Sequence, residues 1–133
     1  ISAFFTILYV RDYMSEKAVG TCLEDMEVQY ESLEIFSLRE DVLCGVVGED
    51  GKYSLYRVEG NNKHIQLRPL CENMQAGKDY QVKSSDGKYA YVVSVYEDEL
   101  DVPSNAYETV ELKTENTTVY FCVEHFIFGN IVD

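Results

Sequence analysis

The sequence has no tryptophan, only two histidines and few bases: 11 Lys and Arg stand against 24 Asp and Glu in 133 residues, a net charge of −13. It has no G-x-S-x-G, P-loop, H-E-x-x-H or G-x-G-x-x-G pattern, so no recognised catalytic motif is present. No two cysteines stand at C-x-x-C spacing, which removes zinc knuckles and thioredoxin-like redox sites. A membrane-spanning helix needs roughly twenty apolar residues. The longest candidate is the opening "ISAFFTILYV", ten residues with no base before it. It fits neither a span nor a signal peptide and reads as a buried strand over Ala3–Val10. The chain opens on Ile1 rather than Met, which reads as a product processed or excised from a longer precursor.

What is present is apolar enough for a core, at 46% of residues, with eleven Tyr and six Phe that favour strands. The length suits a single β-rich domain spanning 1–133. The charge is uneven. Residues 1–40 hold eight acids and three bases, a net of −5; residues 41–93 hold seven of each; residues 94–133 hold nine acids and one base, a net of −8. Such a surface repels polyphosphate and anionic lipid, which argues against nucleic-acid binding and membrane insertion and favours a basic partner. Solubility alone also accounts for it. Four cysteines (Cys22, Cys44, Cys71 and Cys122) allow two disulfides in any of three connectivities, or buried thiols. Asn116-Thr117-Thr118 is a glycosylation sequon that matters only in a secreted chain.

One short helix is expected near residues 15–26, where Ala18, Val19, Cys22, Leu23 and Met26 form one apolar stripe behind Ser15 as N-cap. Gly20 weakens it by about 1 kcal/mol. Residues 28–38 mix helical and strand signals and lean to strand. Three antiparallel strands follow: "DVLCGVVG", "KYSLYRVE" and "KHIQLRPL", joined at Asp50-Gly51 and Asn61-Asn62 and closed by Pro69. "CENMQAGK" reads as a connector. "DYQVKSS" and "KYAYVVSVYE" form a hairpin around Asp86-Gly87, "EDELDVPSN" an exposed loop, and "YETVELKT" with "TTVYFCVEHFIFG" a last hairpin turning at Glu115-Asn116. The final strand is apolar on both faces, Val119, Phe121, Val123 and Ile127 on one, Tyr120, Cys122, Phe126 and Phe128 on the other, and so belongs inside a sheet. The phrase Asp-Gly-Lys-Tyr occurs twice, at 50–53 and 86–89, each time opening a strand.

These elements imply a mainly β, antiparallel domain: a barrel, a trefoil or a sandwich. Three hairpins, "VVGEDGKYSLYRV", "VKSSDGKYAYVV" and "LKTENTTVYFCV", are similar in outline to β-trefoil cytokines. A second resemblance rests on Tyr53, Leu55, Tyr56, Val58, Leu67, Pro69 and Leu70, which resemble the "Y-x-L-Y-x-V", turn and "P-L" strand of Ras-association domains. That resemblance implies an α+β ubiquitin-like roll as the alternative fold. It covers about 25 residues and implies recognition of an acidic GTPase by basic residues, where this chain is acidic.

Candidate chemistry is sparse. Cys122 and His125 suggest a thiolate with its base, but residues three apart in a strand face opposite ways. His64 sits near a turn. An enzyme using His64 or His125 needs a cleft that brings either beside a carboxylate or a cysteine. Glu97, Asp98, Glu99 and Asp101 offer hard oxygens without the spacing of a calcium loop, so no metal or other cofactor is expected. The same four residues, with Tyr89 and Tyr91 as an aromatic contact surface, are the candidate partner-binding site. The expected function is a non-catalytic acidic domain that binds a protein with a basic surface, as an inhibitor or immunity-type protein does. A small β-barrel carrier of an apolar ligand is the first alternative and an enzyme the second.

Overall fold

A computed structural model describes residues 16–61 and 64–128. The expected strand at Ala3–Val10 and the expected cap Ser15 lie outside them. A helix, α1, covers residues 16–25. Eight strands follow: β1 Tyr30–Leu38, β2 Asp41–Gly48, β3 Tyr53–Asn61, β4 His64–Met74, β5 Asp79–Lys83, β6 Tyr89–Tyr96, β7 Glu108–Lys113 and β8 Thr118–Phe128. They form two antiparallel sheets, ordered β1-β2-β3-β4 and β5-β6-β8-β7. The sheets pack face to face as a sandwich. β1 runs beside β7 and β4 beside β5 without a ladder joining either pair among the described residues, so no closed barrel forms. Neither a trefoil nor a ubiquitin-like roll describes this arrangement. No helix is long and apolar enough to cross a membrane among the described residues.

The inner faces of both sheets meet in one core that includes Phe36, Leu43, Leu55, Met74, Tyr91, Val93, Leu112 and Phe121. α1 makes a third layer. Its Val19 and Leu23, one helical turn apart, pack on Leu33, Cys44, Val46, Tyr56 and Leu67 of the outer face of the first sheet. β2 is therefore buried on both faces, and its sequence is apolar without alternation for that reason. A Cβ at Gly20 would crowd the Tyr30 hydroxyl, the end of a side chain that can shift, and would otherwise make ordinary contacts, so glycine eases the approach of α1 to β1 without being required there. α1 ends in a Schellman-type turn at Glu27 (φ 63°), where the Val28 N–H donates to the Leu23 carbonyl at 2.9 Å.

Two irregularities depart from the sequence pattern. β4 does not stop at Pro69; it continues through Met74, so "CENM" is strand rather than connector. Pro69 is tolerated because β4 is an edge strand, and a register shift opposite Leu55 and Tyr56 absorbs it. In β8 the partners jump from Val92↔His125 to Val93↔Val123. This bulge adds one residue and reverses the alternation, so Phe126 joins Val123 on the core face instead of lying opposite it.

Candidate functional site: the acidic end of the sandwich

The strand registers place the α1–β1 junction, the β2–β3 turn, the β4–β5 connection and the chain leaving β6 at one end of the molecule. A groove of ≈ 650 Å³ runs there, lined by Glu24, Glu27, Val28, Gln29, Tyr30 and Glu49. A second hollow of ≈ 350 Å³ continues from it past Asp50 and Glu72. Five carboxylates (Glu24, Glu27, Glu49, Asp50 and Glu72) thus face one channel whose lining holds a single cation, Lys52. They come from α1, the turn after it, the β2–β3 turn and β4. The Glu49 N–H donates to the Gln29 carbonyl at 3.1 Å and pins the β2–β3 turn against the α1–β1 junction, which sets the channel's width. The negative field is felt at Tyr30, whose phenol is pushed above its ordinary range by burial first, then by Glu24, Cys44 and Glu16.

The acidic loop after β6 joins this end. The Tyr53 hydroxyl donates to Glu97 Oε2 at 2.5 Å, and burial together with that bond pushes the phenol up to about 12, so it stays a donor. Asp98 caps a short 3₁₀ turn over Glu99–Asp101, its Oδ1 accepting the Leu100 N–H at 2.9 Å. All four expected carboxylates of this loop are exposed. Among the described residues no three His, Cys, Asp or Glu side chains converge as a metal site would require. Asn116 is exposed at the tip of the β7–β8 turn.

Tyr89 and Tyr91 are elsewhere. They lie between the sheets, 4% and 0% exposed, so neither ring is presented to a partner. They point inward from β6 together with Val93 and Val95. Among the described residues the exposed aromatics are instead Tyr107 and Phe128.

The bulge in β8 revises the cysteine–histidine geometry. It turns Cys122 and His125 to the same face of the second sheet rather than opposite faces. Cys122 is nonetheless fully buried, its Sγ 3.5 Å from Thr109 Oγ1, and burial raises its thiol, so it is no ready thiolate. His125 is exposed, as is His64 at the start of β4. All four cysteines are free thiols; burial pushes Cys44 up to about 12. On the same face Glu124 accepts from Ser94 Oγ at 2.5 Å, and the neighbouring Asp79 carboxyl, hydrogen-bonded to it, lowers Glu124 while Glu124 raises Asp79.

The acidic channel can hold Lys and Arg side chains by carboxylates at the surface. Each exposed pair contributes only about 0.2–1 kcal/mol, so recognition there depends on several pairs acting together and weakens with salt. Sequence reasoning placed the site on Glu97–Asp101 and did not single out Glu24, Glu27, Glu49 or Glu72. Their signal was only the net −5 of the first third; the folding of α1 beside a turn twenty residues on is what gathers them. No family model matches the chain, no curated protein matches its sequence, and no solved structure matches its fold.

Proposed function

We propose that the protein is a non-catalytic binding domain whose acidic end docks on a basic protein surface, as an inhibitor or immunity-type protein would. The observation that supports this most is the channel in which Glu24, Glu27, Glu49, Asp50 and Glu72 face a single lysine. The tie between Tyr53 and Glu97 adds the acidic loop to the same end, so both acid-rich thirds of the chain contribute. A concave site of one sign focuses its field and raises the encounter rate with an opposite charge.

The test uses an arginine-rich peptide as a defined basic probe, with affinity read by calorimetry. Binding is expected at low salt and to weaken steeply as the Debye length falls from about 30 Å to about 8 Å. The double charge reversal Glu27→Lys with Glu49→Lys abolishes it, whereas reversing Glu111 on β7, outside the channel, changes it little. Affinity indifferent to salt, or equal losses from both substitutions, would sink the proposal. Partner capture from the native source then identifies the protein that meets this surface.

A further inference from the structure

Strands β2 and β6 are each buried on both faces. For β2 the reason is visible, because α1 lies over its outer side. β6 has no such cover among the described residues. Its inward side chains, Tyr89, Tyr91, Val93 and Val95, belong to the core between the sheets. The alternate ones, Ala90, Val92 and Ser94, point away from that core. So does Cys122 of β8, the partner of Ser94. Ala90, Ser94 and Cys122 are 0% exposed and Val92 is 8% exposed. Among the described residues, Ala90, Val92 and Cys122 join neither the core between the sheets nor the cluster under α1.

An antiparallel sheet can leave one face to water, and that face then reads polar. The outer face of the second sheet is polar at its margins, at Asp79, Gln81 and Lys83 of β5 and at Thr109, Glu111 and Lys113 of β7, all exposed. Its central strip is small and apolar. Val92 pairs with Gln81 on one side and His125 on the other, and both of these stand in solvent. A valine so placed on an open sheet is partly wet, so its burial calls for a further layer above it.

The sequence holds one long apolar stretch outside the described residues, "ISAFFTILYV" at 1–10. It leads into α1 at Glu16, which with Lys17 borders a hollow of ≈ 390 Å³ against residues 30–33 of β1. β1 runs beside β7, an edge of the second sheet. The chain therefore enters α1 on the side where the two sheets meet. Six residues from Val10 to Glu16 reach about 20 Å when extended, and stacked sheets lie about 10 Å apart. The segment can thus round that side to the outer face. Residues 129–133 offer only Ile131 and Val132, and they leave β8 at the Ala90 end of the strip.

We infer that the outer face of the second sheet is a docking surface and that its occupant is residues 3–10 of the same chain. Their apolar side chains cover Ala90, Val92 and Cys122 as Val19 and Leu23 of α1 cover Cys44 and Val46 on the other sheet. The opening segment is then also the guard of the Cys122 thiol. This inference goes beyond the acidic channel and does not depend on it.

The experiment is alkylation of the full chain by N-ethylmaleimide, mapped cysteine by cysteine by mass spectrometry, together with nuclear Overhauser contacts to the Ala90 and Val92 methyls. In the unaltered chain Cys122 is expected to react as slowly as Cys44, and both methyls to contact side chains of residues 3–10. Residues three apart take opposite sides of a strand and the same side of a helix. The pair Phe5→Glu with Leu8→Glu therefore charges the buried side in either case. It is expected to speed Cys122 about tenfold and to leave Cys44, which lies under α1, unchanged. If both cysteines speed together the variant has unfolded, and the methyl contacts of the unaltered chain decide. A Cys122 rate unmoved in the folded variant overturns the inference. So do methyl contacts to residues 131–132 instead, or to no side chain of residues 3–10. Mixing isotope-labelled with unlabelled chain separates the remaining occupant: contacts that cross between chains assign the face to a second copy and overturn its assignment to the same chain.

Discussion

In both Asp-Gly-Lys-Tyr turns the glycine adopts a positive φ, 79° at Gly51 and 73° at Gly87, which L side chains resist. In both, the glycine N–H donates to the carbonyl three residues back, at 3.0 and 3.1 Å, and the aspartate Oδ1 accepts the lysine N–H at 3.0 Å. The turns part at the residues that precede the shared phrase. The first has Gly48, whose N–H closes the loop on Lys52; a Cβ there would come 2.6 Å from Asp50 Oδ1. The second has Ser84, whose N–H reaches one residue further, to Tyr89, and whose hydroxyl donates to Asp86 at 2.7 Å. Glu49 docks the first turn through its backbone on Gln29, whereas Ser85 docks the second through both backbone and side chain on buried Asp41. The tyrosines diverge as well: the Tyr53 hydroxyl is paired to Glu97, whereas the Tyr89 hydroxyl has no hydrogen-bond partner among the described residues. The shared phrase thus specifies the bend, and the two residues before it specify what the bend touches.

The largest expected difference lies in docking. Asp41→Ala leaves Arg57 buried without its counter-charge and loses about 3 kcal/mol, read by urea denaturation. Glu49→Ala, which keeps the backbone bond to Gln29, loses almost nothing. Comparable losses from the two would break the contrast. A smaller difference separates the tyrosines. Tyr53→Phe forfeits its bond to Glu97 at about 1 kcal/mol, whereas Tyr89→Phe deletes an unpaired hydroxyl and is neutral or stabilising. Thermal melts of both variants measure it, and a Tyr89→Phe loss as large as that of Tyr53→Phe would show that the Tyr89 hydroxyl has a partner after all.

The smallest effect is in pH. The Asp86 carboxyl is held below its ordinary range by the Lys88 N–H first, then by the Ser84 hydroxyl. A depressed folded value means stability that is present above the ordinary value of 3.8 and lost as pH falls through the folded one. Asp86→Asn therefore shows a shallower loss of melting temperature than the parent between roughly pH 5 and pH 2. Parallel curves would remove Asp86 from the account of this turn.

The turns were legible because their chemistry is local: Asp-Gly and Glu115-Asn116 announce a bend from within four residues. The strands of the hairpins followed from their apolar and β-branched runs, and the central place of β8 from its apolar residues on both sides. What stayed hidden depends on partners distant in sequence. Pro69 looks like a terminus until β4 is known to be an edge. The phase of Phe126 cannot be read without the register of β6 that creates the bulge. Tyr89 and Tyr91 carry the same residue types whether a strand faces solvent or a second sheet, and only the pairing of the two sheets decides it. The acidic channel is hidden in the same way: its residues are ordinary surface glutamates until α1 and the β2–β3 turn are brought together.

Among the described residues one sheet is built from 30–74 and the other from 79–128, with residues 75–78 between them. Among the described residues every ladder but one joins strands adjacent along the chain; β6 reaches past β7 to pair with β8. Closing such short loops is entropically cheap, so each half can zip up independently. The bonds Tyr53–Glu97 and Ser85–Asp41 each span 44 residues and connect one half to the other at opposite ends. Both reach further along the chain than any ladder within a half, so the contacts that hold the two sheets together are of longer range than those that build either sheet.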